Sequence, residues 1–118
     1  DAALVKDNHI AAAGSLTAAV EAVRSHQPDI VCEVECDTVD QVREAVEAGV
    51  TTILLDNMDD SLMTESVSIC RPRGVITEAS GGLTLDRAKD VAATGVDYIA
   101  VGAITHSAPV LDLGLDFD

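Results

Sequence analysis

Basic and aromatic residues are scarce in this chain. Its 118 residues include seven Lys and Arg against 21 Asp and Glu, which gives a formal net charge of −14. Nucleic acids and anionic membranes are bound through positively charged surfaces, so we expect neither as a partner. Tryptophan is absent and aromatic residues make up 2% of the chain, whereas hydrophobic residues make up 47%. This apolar fraction excludes a disordered acidic tail and indicates a folded domain.

Long apolar runs are also missing. None approaches the roughly 18 residues that cross a bilayer, and no signal peptide is visible at the start. The chain begins at Asp1 rather than at Met, and an apolar stretch follows at once. We therefore expect that residues precede it in the natural protein.

Cysteines number only three, Cys32, Cys36 and Cys70. An odd number fits a disulfide framework poorly and is typical of a reducing cytoplasm. Cys32 and Cys36 lie four residues apart on one face of a predicted strand. A metal-binding pair is one interpretation, but we favour buried small hydrophobic residues.

Apolar, β-rich runs alternate with helical patterns along the chain. The runs are residues 2–6, 30–36, 52–56, 75–79 and 97–101, and the predicted helices are 15–26, 39–48, 60–70 and 85–94. Leu16, Val20 and Val23 have the spacing of a one-sided helix. Because each pair of strands is joined by a helix, the strands are expected to pair in parallel.

Local signals mark several helix boundaries. Thr38 and Gln41 have the spacing of a capping box at the start of the second helix. Gly49 and Gly95 fall where helices should end. The sequence around Gly49 also resembles that around Gly95, which is a weak internal repeat.

Two architectures fit this alternation: an open doubly wound sheet, or part of a (β/α) barrel whose earlier strands are absent. In residues 30–36, Glu33 and Glu35 share one face, whereas Cys32 and Val34 share the other. A doubly wound sheet has helices on both faces, and carboxylates facing them would be costly. At a barrel mouth they can be hydrated. We therefore predict an α/β fold that is part of a parallel (β/α) barrel, with five strands and the helices outside.

Polar or glycine-containing segments follow all five predicted strands, where parallel α/β folds place their chemistry. The candidate site residues are Lys6, Glu35, Asp56, Ser80, Gly81, Gly82, Gly102, Ala103 and His106. Small residues after two consecutive strands let backbone N–H groups approach a phosphate. Glu35 and Asp56 can hold Mg²⁺, usually through water, or stabilise a cationic sugar; a solvated acidic rim is the alternative.

Lys6 is the only basic side chain at this predicted edge of the sheet. A polyanionic substrate therefore needs further cations from a metal, an absent segment or a partner chain.

Five motifs together resemble the quinolinate phosphoribosyltransferase family, which is also called carboxylating nicotinate-nucleotide diphosphorylase. In chain order they are Val5-Lys6-Asp7-Asn8-His9, Cys32-Glu33-Val34-Glu35, Leu54-Leu55-Asp56-Asn57, Glu78-Ala79-Ser80-Gly81-Gly82 and Val101-Gly102-Ala103-Ile104-Thr105-His106-Ser107. The resemblance implies that residues 1–118 are the C-terminal part of the barrel domain, without the N-terminal sandwich domain and the early strands. The upstream basic residues with which the family grips quinolinate are not among these residues.

The resemblance also implies the reaction and the residues that carry it. The family makes nicotinate mononucleotide, CO₂ and diphosphate from quinolinate and phosphoribosyl diphosphate, with Mg²⁺, in NAD biosynthesis. Lys6 would contact the quinolinate carboxylates or the diphosphate, and Glu35 and Asp56 would lie by the ribose and the metal-bound diphosphate. The 5′-phosphate would be held by Ser80, Gly81, Gly82, Gly102 and Ala103, with His106 close by.

Two other functions remain open from the residues alone. One is a related phosphoribosyltransferase-like protein with another acceptor, such as the homologue of molybdenum operons, and the other is a catalytically silent phosphate-binding fragment. The family resemblance further implies a homodimer or higher homo-oligomer. Unpaired strand edges at residues 2–6 and 97–101 would favour such association, and the alternating residues 110–117 have the pattern of an edge or interface strand.

Overall fold

A computed structural model describes residues 2–81 and 83–100, and the backbone of 107–109. Strands and helices alternate along the chain. The strands are β1 (Ala2–Val5), β2 (Val31–Cys36), β3 (Thr52–Asp56), β4 (Ile76–Ser80), β5 (Tyr98–Ala100) and β6 (Ser107–Pro109). The helices are α1 (Asp7–Ala13), α2 (Leu16–His26), α3 (Val39–Glu47), α4 (Asp60–Cys70) and α5 (Leu85–Ala92), and a 3₁₀ turn, Arg71–Arg73, follows α4.

The strands form one sheet in the order of the sequence. Strands β1 to β5 are parallel to their neighbours, and β6 pairs antiparallel with β5. A doubly wound sheet reverses its order at a switch point, and this sheet does not. Right-handed crossovers that always step in the same direction place the helices on one face of the sheet. Within the described residues the sheet is not closed, and the prediction of part of a parallel (β/α) barrel is confirmed.

Side-chain burial shows which face the helices cover. In β2, Cys32, Val34 and Cys36 are at most 3% exposed, whereas Glu33 and Glu35 are only half-buried on the other face. The helix-covered face forms the core with apolar residues of the helices. Its fully buried large members include Leu16, Val20, Val34, Val42, Ile53, Leu55, Met63, Val91 and Ile99. Helices therefore cover one face of the sheet, and the second face carries the carboxylates.

The predicted helix boundaries are largely present. Thr38 Oγ1 accepts the Gln41 N–H at 3.2 Å, and Gln41 Oε1 accepts the Asp37 and Thr38 N–H groups at 2.9 and 3.3 Å. This is the expected capping box of α3. Helix α3 ends at Glu47 and α5 at Ala92, one and two residues before the predicted ends.

The weak sequence repeat corresponds to a repeated structural junction. Gly49 and Gly95 follow α3 and α5 with left-handed φ values of +80° and +94°. Arg24 of α2 donates to the carbonyls of Ala48 and Gly49 at 2.5 and 2.7 Å, and Arg71 donates to the carbonyl of Gly95 at 2.5 Å. In each case an arginine from the preceding helical segment satisfies carbonyl groups at the end of the next helix.

One helix was not predicted, and one prediction about the ends of the sheet is wrong. Residues 7–13 form a helix, α1, where the sequence analysis assigned neither a helix nor a strand. Strand β5 is not an edge, because β6 pairs with it through Ile99 and Ala108. The expectation for residues 110–117 lies outside the described residues. Within residues 2–81 and 83–100, no helix has the length and apolarity that a membrane span requires.

Candidate active site

Parallel pairing brings three predicted site residues to one edge of the sheet. Lys6 directly follows β1, Glu35 is the next-to-last residue of β2, and Asp56 is the last residue of β3. The register pairs Val5 with Val34, and Glu35 with Leu54. Since neighbouring strands lie about 4.8 Å apart, Lys6 and Asp56 flank Glu35 at its carboxyl edge.

The charges of these three residues act on one another. Burial raises the pKa of the Glu35 carboxyl above its ordinary value, the neighbouring Asp56 carboxylate raises it further, and the Lys6 ammonium lowers it. The two carboxylates repel each other at a partly dehydrated edge, and a positive charge between them would offset that repulsion. The site is therefore suited to a cation or to a positively charged reaction centre.

Asp56, Asn57 and Gly81 form a tight junction between the ends of β3 and β4. The register pairs Asp56 with Ser80, and the Asn57 N–H donates to the Ser80 carbonyl at 3.4 Å. Gly81 follows with a left-handed φ of +94°. A Cβ atom there would lie 2.5 Å from Asn57 Oδ1 and 2.8 Å from both Asn57 N and Asp56 Oδ1. Only glycine fits at this position without displacing its neighbours.

Further carboxylates lie on the same face of the sheet. The register places Glu35, Leu54, Glu78 and Tyr98 in one row across four strands, with Glu33 in the row below. All of these side chains are half-buried. The face that the helices leave open is therefore strongly acidic, and Glu78 is a member of it to which the sequence analysis gave no role.

Among the described residues, Glu35 and Asp56 are the pair of carboxylates predicted to hold magnesium. In the described part of the chain, no group of three or more His, Cys, Asp or Glu side chains is arranged to bind a metal ion. Mg²⁺ is commonly bound through one or two carboxylates, with water and substrate phosphate oxygens completing its shell. The mutual repulsion of Glu35 and Asp56 fits this arrangement.

The three cysteines lie in the core and contribute no side chain to the candidate site. Cys32, Cys36 and Cys70 are unpaired and buried. Burial raises the pKa of Cys32, and raises that of Cys36 to about 12 and that of Cys70 to about 11. They are therefore small apolar residues, as predicted, rather than thiolate ligands.

The structure does not describe every predicted site residue. Ser80 and Gly81 lie beside Asp56, as above, whereas Gly82, Gly102, Ala103 and His106 fall outside the described residues. Asn57 is a site residue that the sequence analysis did not assign. Its position directly after the last residue of β3 and its place in the motif Leu54-Leu55-Asp56-Asn57 were the available signals.

A separate cavity of about 190 Å³ lies near the amino ends of β4 and β5, lined in part by Arg71, Thr77 and Asp97. Its polar groups bond to one another or to the backbone: Asp97 Oδ2 accepts the Thr77 N–H at 2.9 Å and lies 3.3 Å from Thr77 Oγ1. Arg71 is bound to the Gly95 carbonyl. The cavity is at the opposite edge of the sheet from Asp56 and takes no part in the candidate site.

The fold and this edge together define a class: a (β/α)-barrel protein whose acidic and glycine-containing site lies at the carboxyl ends of the strands. Comparison with known proteins gives the family. Residues 1–116 match the model of the quinolinate phosphoribosyl transferase C-terminal domain. The chain belongs to the quinolinate phosphoribosyltransferase family.

Individual relatives agree with this assignment. The chain is 46% identical over 119 residues to the carboxylating nicotinate-nucleotide pyrophosphorylase of Mycobacterium leprae, covering 98% of this chain and 42% of that protein. It is 38% identical over 137 residues to the decarboxylating quinolinate phosphoribosyltransferase 2 of Nicotiana glauca, named as mitochondrial, covering 100% of this chain and 39% of that protein. The crystal structure of the nicotinate-nucleotide pyrophosphorylase of Ehrlichia chaffeensis superimposes with a TM-score of 0.83 at 40% identity, covering 90% of this chain and 38% of that one. The chain thus spans about two fifths of the length of these relatives.

Proposed function

We propose that this chain forms the phosphoribosyl-binding part of a quinolinate phosphoribosyltransferase. The reaction is the transfer of the phosphoribosyl group from phosphoribosyl diphosphate to quinolinate with decarboxylation, which gives nicotinate mononucleotide, CO₂ and diphosphate. One observation carries the proposal. Lys6, Glu35 and Asp56 meet beside the Gly81 turn at one edge of the sheet, in a chain whose residues match this family almost throughout.

The acidic pair suits the first chemical step. The ring nitrogen of quinolinate attacks C1 of the ribose while the bond from C1 to the diphosphate oxygen breaks, and positive charge develops on the sugar. Glu35 and Asp56 stabilise that charge and orient the ribose hydroxyls. Lys6 offers a positive charge to the quinolinate carboxylates or to the departing diphosphate.

Decarboxylation follows on the pyridinium product. The carbon–carboxylate bond breaks, its electron pair stays on the ring carbon next to the positively charged nitrogen, which stabilises it, and a proton then takes the place of the lost CO₂. The ring nitrogen supplies the stabilising charge, so this step asks little of the protein beyond excluding competing reactions and holding the ring in place.

Small residues would hold the 5′-phosphate through backbone N–H groups. Gly81 brings the chain close to Asp56 and Asn57 because it lacks a Cβ atom. Ser80, Gly82, Gly102 and Ala103, with His106, complete this phosphate site in the proposal. Mg²⁺, held by Glu35 and Asp56 through water, would offset the charge of the diphosphate.

The charge balance requires other parts of the protein. The open face carries Glu33, Glu35, Asp56 and Glu78, and among the described residues Lys6 is the cation that acts on Glu35. Quinolinate and phosphoribosyl diphosphate are both polyanions. We therefore propose that basic side chains from a sandwich domain and early barrel strands, or from a second subunit of a homodimer or larger homo-oligomer, complete the site. The buried, unpaired cysteines favour a cytoplasmic location.

The test is steady-state kinetics of two charge-removing variants, Glu35→Gln and Asp56→Asn, in the protein expressed with the sequence that flanks this chain in its gene. Each should lower kcat/KM on the order of 100-fold, as the loss of one electrostatic contact to a transition state does. Glu21→Gln removes an exposed carboxylate of α2 and is the control. Near-normal kcat/KM in both site variants would remove these residues from the reaction.

A further inference from the structure

Asn57 has an unusual backbone conformation. It is the only non-glycine residue with a positive φ, +54°, in the described part of the chain; the other five positive-φ positions there are glycines. Glycine adopts this conformation at no steric cost, whereas asparagine tolerates it but does not prefer it. A turn alone would be served by glycine, so the side chain at position 57 points to a role of its own.

The contacts of Asn57 join two loops of the candidate site. Its Nδ2 group lies 3.4 Å from Asp56 Oδ2, and its N–H donates to the Ser80 carbonyl at 3.4 Å. Its Oδ1 atom fills the space that a side chain at position 81 would need, since a Cβ there would lie 2.5 Å away. The Asn57 carboxamide therefore contacts the Asp56 carboxylate on one side and packs against the Gly81 turn on the other.

We infer that Asn57 is a positioning residue that fixes the Asp56 carboxylate and the Gly81 turn relative to each other. This inference rests on the proposed function, in which Asp56 contacts the ribose and the Gly81 turn contacts the 5′-phosphate. These two ligand groups belong to one molecule and are separated by only a few bonds, so the protein groups that bind them must lie within a limited distance of each other. Asn57 supplies the link between them through its contacts with Asp56, Ser80 and the Gly81 turn.

The exposure of Asn57 makes the inference testable without unfolding the protein. The side chain is exposed and lies outside the core. Asn57→Gly removes the carboxamide and keeps the left-handed backbone accessible. Asn57→Asp keeps the size of the side chain but replaces the amide donor with a second carboxylate beside Asp56.

The experiment compares both variants with wild type and with Gln27→Gly, which removes an exposed amide after α2 at the far edge of the sheet. The protein is expressed with its flanking gene sequence. Asn57→Gly should unfold near the wild-type temperature, yet show kcat/KM for phosphoribosyl diphosphate lowered about tenfold, since a hydrogen bond to a charged group is lost. The KM for quinolinate should stay at its wild-type value, and Asn57→Asp should lose at least as much. Gln27→Gly should behave as wild type.

Calorimetric binding of ribose 5-phosphate separates this inference from the proposed function, because it needs no turnover. Weaker binding to Asn57→Gly supports the positioning role even if wild type fails to convert quinolinate, a failure that would overturn the proposed function alone. Wild-type binding and kinetics in Asn57→Gly would overturn the positioning role. Equal losses for both substrates with a lowered unfolding temperature would also overturn it, because they indicate a structural role.

Discussion

Gly81 lies so close to Asp56 and Asn57 that a side chain has no room there, and the substitution Gly81→Ala tests this close packing. The residue has a φ of +94°, and an added Cβ would lie 2.5 to 2.8 Å from atoms of Asn57 and Asp56. Two of the three contacted atoms are oxygens of the side chains that define the site. The substitution therefore disturbs both the turn proposed to hold the 5′-phosphate and the carboxylate proposed to contact the ribose.

The expected loss of stability in Gly81→Ala has two parts, which a control variant separates. The left-handed backbone costs alanine roughly 1–2 kcal/mol, and relieving the forced contacts adds about 1–3 kcal/mol. Gly74 also has a positive φ, +70°, but a Cβ there would meet nothing within 4 Å. Gly74→Ala, at the opposite edge of the sheet, therefore carries the backbone term alone.

The assay combines unfolding by urea with calorimetric binding of nicotinate mononucleotide. Gly81→Ala should be less stable than Gly74→Ala by about 1–3 kcal/mol. It should bind the mononucleotide at least about tenfold more weakly, which corresponds to about 1.4 kcal/mol. Gly74→Ala should bind as wild type does. Equal stability and equal affinity in the two variants would refute the close packing of Gly81 against Asp56 and Asn57.

Two further predictions follow from the raised pKa values. Burial and the Asp56 carboxylate raise the pKa of Glu35 above its ordinary value of 4.5, so ionisation of Glu35 at pH 7 destabilises the folded state. Glu35→Gln should therefore raise the unfolding temperature at pH 7. The gain should vanish below pH 4.5, where Glu35 is protonated in both the folded and the unfolded protein. A lower unfolding temperature at pH 7 would contradict this. Cys36 and Cys70, with pKa values of about 12 and 11, should resist iodoacetamide at pH 8 until the protein is unfolded in guanidinium, as mass spectrometry would show. Rapid alkylation of the native protein at either residue would contradict their burial.

The features that local sequence encodes were predictable. The alternation of Glu33 and Glu35 with Cys32 and Val34 gives the two faces of β2, because side chains alternate along any strand. Thr38 and Gln41 cap α3 through contacts three residues apart. Gly49 and Gly95 end their helices in the conformation that glycine favours. Each of these signals lies within a few residues of its effect.

The missed features depend on contacts that the sequence does not show locally. Helix α1 contains no buried residue, so its sequence lacks the apolar stripe that indicates a helix. At its start, His9 Nδ1 accepts the Lys6 N–H at 3.2 Å. The Asn57 junction depends on Ser80 and Gly81, which lie on the next strand of the sheet. The pairing of β6 with β5 is likewise set by tertiary structure. The resemblance to the family, by contrast, was recognised from five motifs in chain order and not from any single residue.

The most direct test of the proposed phosphoribosyl site is the release of labelled CO₂ from quinolinate labelled in the carboxyl group next to the ring nitrogen. The protein, expressed with its flanking gene sequence, should release label only when phosphoribosyl diphosphate and Mg²⁺ are both present. Asp56→Asn should release it on the order of 100-fold more slowly, and Gly74→Ala at the wild-type rate. Release without phosphoribosyl diphosphate, or undiminished release by Asp56→Asn, would contradict a site in which the acidic edge acts on the sugar.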